Sequence, residues 1–112
     1  MSEKRELVRN FLKEVLSEVF APSFYVVLEY HTSKMLGEDF TDCLMRDPRK
    51  AYEIMTKVLN SEYTVHILDS LVSRHLRSLG IDIKDSIMKL KEGDNKLIIL
   101  AAEKYFKLRR RK

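Results

Sequence analysis

The side chains best suited to acid–base chemistry or metal binding in this chain are three histidines, at positions 31, 66 and 75. At about 100° per residue around a helix, His75 falls on the apolar face of its segment and His66 on the opposite, polar face. Histidines that point in opposite directions cannot ligate the same metal ion. His31 falls between Val27 and Met35, again on an apolar side. We therefore predict that His31 and His75 face either the core or a partner, and that no metal site forms.

Motifs that would carry catalysis or hold a cofactor are missing from the sequence. It contains no HExxH and no paired CxxC, and the acidic residues between 38 and 47 do not follow the spacing of a calcium loop. Cys43 is the single cysteine, so it cannot form a disulfide within the chain, and this favours a reducing, cytoplasmic location. The sequence therefore predicts a protein that is not an enzyme and that binds no cofactor.

The strongest charge signal is the segment KYFKLRRRK at residues 104–112, which contains six cations. Since the whole chain has a formal net charge of +4, the remainder sums to −2. Cations are favourable at a helix C-terminus, which explains part of the run, and the excess is the basis of an alternative interpretation, contact with nucleic acid. The candidate residues are Lys107, Arg109, Arg110, Arg111 and Lys112, with Arg74 and Arg77 on a polar helix face. No membrane is expected as a partner, because neither a long apolar run nor an acylation signal accompanies the cations.

Apolar residues at helical spacing, together with start and stop signals, predict helices over most of the chain. Asp47 can cap a helix that has Pro48 at its first position, and Asn60 can end that helix in the left-handed conformation. Pro22 and Gly37 provide two further stops. The predicted helices cover residues 2–20, 24–36, 48–59 and 62–79, and a loop with one helical turn joins the second to the third.

The last third of the chain allows two interpretations. Short alternating runs around EGDN fit a β-hairpin at residues 87–100, which after three helices would give a winged-helix-like fold. Alternatively, Asp85 and Asp94 each cap a helix, and we favour this because apolar residues continue at helical spacing beyond residue 100. Residues 97–102 are apolar on every side, which predicts deep burial or an interface. The interface candidates here are Leu97, Ile98, Ile99 and Leu100.

Together these signals predict an all-α protein that forms a single compact bundle of four to six helices. Residues 1–103 would form the helical domain, and residues 104–112 a basic helix end or tail. The chain has no Gln and three Asn beside many charged residues, a composition typical of thermophiles.

The stretch DPRKAYEIMTKVLN, followed by VHILDSLVSRHLRSLGI, resembles the nitrosopumilus output domain family of small archaeal helical domains. Two departures are visible. Asn60 stands where a Gly is usual, and Leu76, Leu79 and Gly80 are spaced one residue closer than in the family pattern. The resemblance implies an all-helical archaeal domain with a signalling or interaction role, and it transfers no functional residue.

Two functions are compatible with these features. The first is a non-enzymatic protein–protein interaction or signalling-output module that forms a homodimer, with His31, His75 and the apolar residues 97–100 at the interface. The second is a nucleic-acid-binding protein that uses the basic tail and the face of Arg74 and Arg77. A hairpin at 87–100 would favour the second function, and a continuous last helix packed on a second copy of the chain would favour the first.

Overall fold

The computed structural model describes residues 2–110, with side chains from residue 3 to residue 109, and these residues form α-helices without any strand. The all-α prediction is therefore confirmed. The α-helices are α1 (Ser2–Val19), α2 (Phe24–Leu36), α3 (Phe40–Arg46), α4 (Pro48–Leu59), α5 (Glu62–Ser78) and α6 (Lys96–Arg110), with a 3₁₀ helix at Met88–Glu92.

Side-chain caps and left-handed stops set most helix boundaries where the sequence predicted them. The carboxylate of Asp47 accepts a hydrogen bond from the backbone N–H of Lys50 at 3.3 Å, at the start of α4. Asn60 then ends α4 with φ 65°, and the Ser61 hydroxyl accepts from the backbone N–H of Thr64 to begin α5. Gly37 ends α2 in the same left-handed region, with φ 71°.

The segment between α2 and α4 is more helical than predicted. The Asp39 carboxylate accepts from the backbone N–H of Asp42 at 2.7 Å and caps α3, a helix of seven residues. Ser23, in contrast, makes no side-chain capping bond at the start of α2. The extra helix exists because Phe40, Cys43 and Leu44 insert fully into the core on one face.

The bundle is organised around α1, which packs against α2, α3, α5 and α6. A second layer forms where α4 packs against α2, α3, α5 and the 3₁₀ helix. The core between them is closely filled, and each buried large side chain contributes about 1.5–3 kcal/mol of transfer free energy. The largest fully buried side chains include Phe11, Leu16, Leu28, Phe40, Ile54 and Leu68.

A β-hairpin at residues 87–100, the alternative interpretation, is wrong. The 3₁₀ helix Met88–Glu92 and the start of α6 occupy this segment, so the fold is not winged-helix-like. The buried Asp69 carboxylate accepts from the backbone N–H of Ile87 at 2.9 Å and fixes the start of the 3₁₀ helix against α5. The Asn95 amide donates to the carbonyls of Leu44 and Met45, which anchors the beginning of α6.

The C-terminal residues 104–110 continue α6 instead of leaving the bundle. The Tyr105 hydroxyl donates to Glu14 of α1 at 3.0 Å, and its ring lies edge-on to Phe11 with 5.5 Å between centroids. Over the part that is described, the basic segment is therefore a helix end packed on α1. None of the helices between residues 2 and 110 combines the length and the apolar character needed to cross a membrane.

Candidate functional site

The three histidines lie on three separate surfaces. His31 is exposed on the outer side of α2, where its ring lies edge-on to Tyr30 at 5.6 Å. A core position for His31 is therefore wrong, and only the interface alternative is still open for it. His75 is half-buried in a groove between α5 and α6, while His66 is exposed on the polar face of α5. No group of three potential ligands among residues 2–110 could hold a metal ion.

The outer side of α2 carries the largest concentration of exposed apolar side chains. We define the α2 patch as Val26, Val27, Tyr30 and His31, which occupy successive turns of one face. The exposed fractions are 65% for Val26, 38% for Val27 and 60% for Tyr30. Exposed large apolar residues continue in sequence on both sides of the patch, at Phe20, Met35 and Leu36.

The inner side of α2 holds the patch in a fixed position. Phe24, Leu28 and Thr32 are buried, and the Tyr25 hydroxyl is 2.8 Å from the Thr41 hydroxyl of α3. Burial, with the nearby Glu29, raises the pKa of Tyr25 well above its usual value. The patch is thus presented by a helix that is anchored along its length.

Charged residues are sparse along the patch. Glu29 is half-buried, and Lys34 lies with its Nζ 5.5 Å from the centre of the Tyr30 ring. This cation–π contact keeps the Lys34 charge beside the aromatic face. The α2 patch therefore offers a partner mainly apolar contact area.

A network of charges ties the start of α1 to the start of α3. Arg5 pairs with Asp39 at 2.8 Å and also with Asp42, and Arg9 pairs with Asp39. Burial acts to raise the pKa of Asp39, but the backbone N–H of Asp42 and the two guanidinium groups outweigh it. The pKa of Asp39 therefore lies below its usual value. The network positions helices and presents no nucleophile.

The apolar residues 97–100 are mostly used inside this chain. Ile98 is 1% exposed in the core, and Leu97 and Ile99 are partly buried against it. Because these three side chains pack within the bundle, they offer a partner little exposed surface. Leu100 remains, with 40% of its surface exposed. The sequence allowed two explanations for a segment that is apolar on every side, deep burial or an interface. For most of this segment the explanation is burial.

The predicted basic residues have different surroundings. Arg109 pairs with Glu14 and lies 5.9 Å from the centre of the Tyr105 ring, so its charge is engaged within the molecule. Lys107 is exposed, as are Arg74 and Arg77 on α5. The side chain of Arg110, and residues Arg111 and Lys112 as a whole, lie outside the described part.

Lys104, Lys107 and Leu108 line a groove of about 250 Å³ with Gly80 and Ile81, at the end of α5. A larger groove of about 490 Å³ beside it is lined by Glu18, His75, Leu79, Tyr105, Leu108 and Arg109. Sequence reasoning missed Lys104 as a groove residue, because only the fold brings it to the end of α5.

Cys43 has the surroundings of a structural thiol. Its side chain is fully buried, and burial, followed by the charge of Glu38, raises its pKa to about 11. A thiol that stays protonated at neutral pH is a poor nucleophile and a poor metal ligand.

Comparison with known proteins gives one informative match. An uncharacterized protein from Archaeoglobus fulgidus is 35% identical over 88 residues, which cover 79% of this chain and 73% of that protein. No protein-family model matches the chain, so the resemblance to the nitrosopumilus output domain family stays a prediction. No solved structure matches it either. The identity and coverage nevertheless show a family relationship: this chain belongs to the same family as the uncharacterized archaeal protein.

Proposed function

We propose that this protein is a non-enzymatic protein–protein interaction module that functions as a homodimer, with the α2 patch at the interface. The observation that carries the proposal is the exposure of Val26 and Tyr30 on a helix that is otherwise well packed. Contiguous apolar area that a monomer leaves open is typical of a surface that a partner covers.

A second copy of the chain is the partner that this surface fits best. In a two-fold interface the same patch lies on both sides, so like charges near the axis would repel each other. The α2 patch avoids this problem because its exposed residues are apolar or aromatic apart from His31. Glu29 is half-buried beside it, and Lys34 is drawn toward the Tyr30 ring. Homodimer interfaces are also the more apolar class of protein interfaces.

A role in signalling output is a more specific version of this proposal. It draws support from the resemblance of residues 47–60 and 65–81 to the nitrosopumilus output domain family. A cytoplasmic location fits the same proposal, because the buried Cys43 is a free thiol.

The mass of the protein in solution tests the proposal. Light scattering at micromolar concentration should give about 26 kDa, twice the 13.2 kDa of one chain. Dilution should shift the mass toward 13.2 kDa along a single dissociation curve. A mass of 13.2 kDa that stays constant across the micromolar range would contradict the homodimer.

A further inference from the structure

A second surface, on a different part of the molecule, carries an inference that does not depend on the α2 patch. It lies where the end of α5 meets the second half of α6. Lys104 and Lys107 lie one turn apart on α6, and both line the groove with Gly80 and Ile81. A Cβ added to Gly80 would meet no atom within 4 Å, so this side of the groove is open.

The charges of α6 are separated between two sides of the helix. Glu103 lies in a different groove, which it shares with Glu3, Lys4 and Leu7 of α1. Lys104 and Lys107 face the end of α5 instead. The acidic residue next to Lys104 in sequence is thus directed away from the two lysines.

The cations at this end form no salt bridge within the described residues, as is also true of other exposed lysines such as Lys13 and Lys57. Arg5, Arg9, Arg46, Lys89 and Lys91 all pair with carboxylates at 4.0 Å or less. Five cations of α5, α6 and the segment that follows α5 form no salt bridge within the described residues. These are Arg74, Arg77, Lys84, Lys104 and Lys107, all exposed.

Helix dipoles explain only some of these cations. The ends of α5 and α6 carry partial negative charge, and a cation in the last turn of each helix stabilises it. Arg77, Lys107 and Arg109 stand in those last turns. Arg74 and Lys104 come earlier in their helices, where the dipole effect has decayed. The dipole effect therefore does not account for the charges of Arg74 and Lys104.

We infer that this basic end binds the phosphate backbone of nucleic acid without sequence preference. Lys104 and Lys107 would contact phosphates from the groove, and the exposed Arg74 and Arg77 of α5 add positive charge outside it. Tyr105 and Phe106 are half-buried against α1, so the surface lacks the exposed aromatic residues that anchor proteins in a membrane interface. A charged groove between α6 and the turn after α5 fits a phosphate backbone better than a lipid surface.

Fluorescence anisotropy with short labelled duplexes of DNA and of RNA tests this inference on the full-length protein. Binding at about 50 mM salt should weaken by at least about tenfold at about 200 mM salt, because counterions are released. The double variant Lys104→Ala/Lys107→Ala should bind at least about tenfold more weakly and reduce the slope of log K against log salt by about 2. The DNA and RNA arms identify which nucleic acid is preferred.

The matched control is Lys13→Ala/Lys57→Ala, which removes two exposed lysines that make no salt bridge within the described residues, on α1 and α4. This control should keep the wild-type affinity and the wild-type slope of log K against log salt to within about twofold, because the loss of two charges elsewhere on the surface has only a small general effect on binding. The inference is overturned if the wild type binds neither duplex at about 50 mM salt. It is also overturned if the control loses as much affinity as the Lys104/Lys107 variant, or if anionic lipid vesicles bind and both duplexes do not.

Discussion

Val26 and Tyr30 lie one helical turn apart on α2 and keep 65% and 60% of their surfaces exposed, while Leu28 and Thr32 on the same helix are fully buried. Residues at i and i+4 share a face, so the two exposed side chains form one continuous surface. Because most of their surface is exposed, these two side chains contribute little apolar burial to the fold. This relationship is the physical basis of the proposed homodimer.

A charge placed in the α2 patch should separate the two copies. In Val26→Glu, each copy would bring a carboxylate into an apolar interface, and desolvation of an unpaired charge there is costly. We expect the dissociation constant to rise by at least about 100-fold, which corresponds to about 2.7 kcal/mol. Light scattering should then give a monomer at concentrations where the wild type is a dimer.

The control for this variant is Tyr63→Glu, which changes a residue that is 74% exposed on α5. It should remain a dimer, and both variants should keep the wild-type helical circular dichroism. Equal loss of the dimer in both variants would show that the effect is not specific to the α2 patch.

The buried carboxylate of Asp69 should be needed to hold the 3₁₀ helix in place. In Asp69→Ala, the backbone N–H groups of Ile87 and Met88 lose their acceptor, and a buried unsatisfied donor costs about 1–3 kcal/mol. We expect urea denaturation to give a free energy of unfolding lower by about 2 kcal/mol. The variant Asp69→Asn keeps an acceptor oxygen and should lose less than half as much. Equal losses in the two variants would contradict a role for these hydrogen bonds.

The network of Asp39, Arg5 and Arg9 should make stability depend on pH in a defined direction. The pKa of Asp39 is lower in the folded protein than its usual value in the unfolded chain. The Asp39 carboxylate therefore stabilises the fold fully at pH values above the unfolded pKa. This stabilisation is lost as the pH falls through the folded pKa. At about pH 7, Asp39→Asn should lower the free energy of unfolding by about 1–2 kcal/mol. The difference in the free energy of unfolding between Asp39→Asn and the wild type should shrink below about pH 4.

Denaturation in urea across this pH range measures the effect. Asp82→Asn serves as the control, because Asp82 is exposed and makes no salt bridge within the described residues. Its stability should follow the wild-type profile. A difference between wild type and Asp39→Asn that stays constant down to about pH 2 would contradict the ionic origin of the effect.

Local signals in the sequence predicted the boundaries of several helices well. Helix starts and stops depend on contacts within three or four residues, so they can be derived without the fold. Examples are Asp47 with Pro48, and Asn60 with Ser61. The helix α3 was underestimated because seven residues are too few for a clear periodicity. Its stability comes from Phe40 and Leu44, whose burial depends on the rest of the bundle.

The candidate site was harder to derive for a related reason. Apolar residues surround α2 almost completely, so periodicity could not decide which side of it faces the core. His31 was placed beside Val27 and Met35 on an apolar side, and that side includes exposed surface. The apolar segment 97–100 has the same ambiguity, and there packing on the core accounts for all but Leu100. The basic groove joins Gly80 and Ile81, just after α5, to residues of α6 that are more than 20 positions away in sequence, and only the fold brings them together.

The most direct test of the homodimer measures the distance between identical spin labels by double electron–electron resonance. A nitroxide on Ser33→Cys would mark the exposed side of α2, and one on Ser70→Cys would mark the exposed side of α5. The buried thiol of Cys43 should not react under native conditions. Helices that pack at about 8–10 Å should give a Ser33 label distance of roughly 15–35 Å, and the Ser70 labels should be farther apart. A short distance only between the Ser70 labels, or no measurable distance for either label, would contradict an interface at the α2 patch.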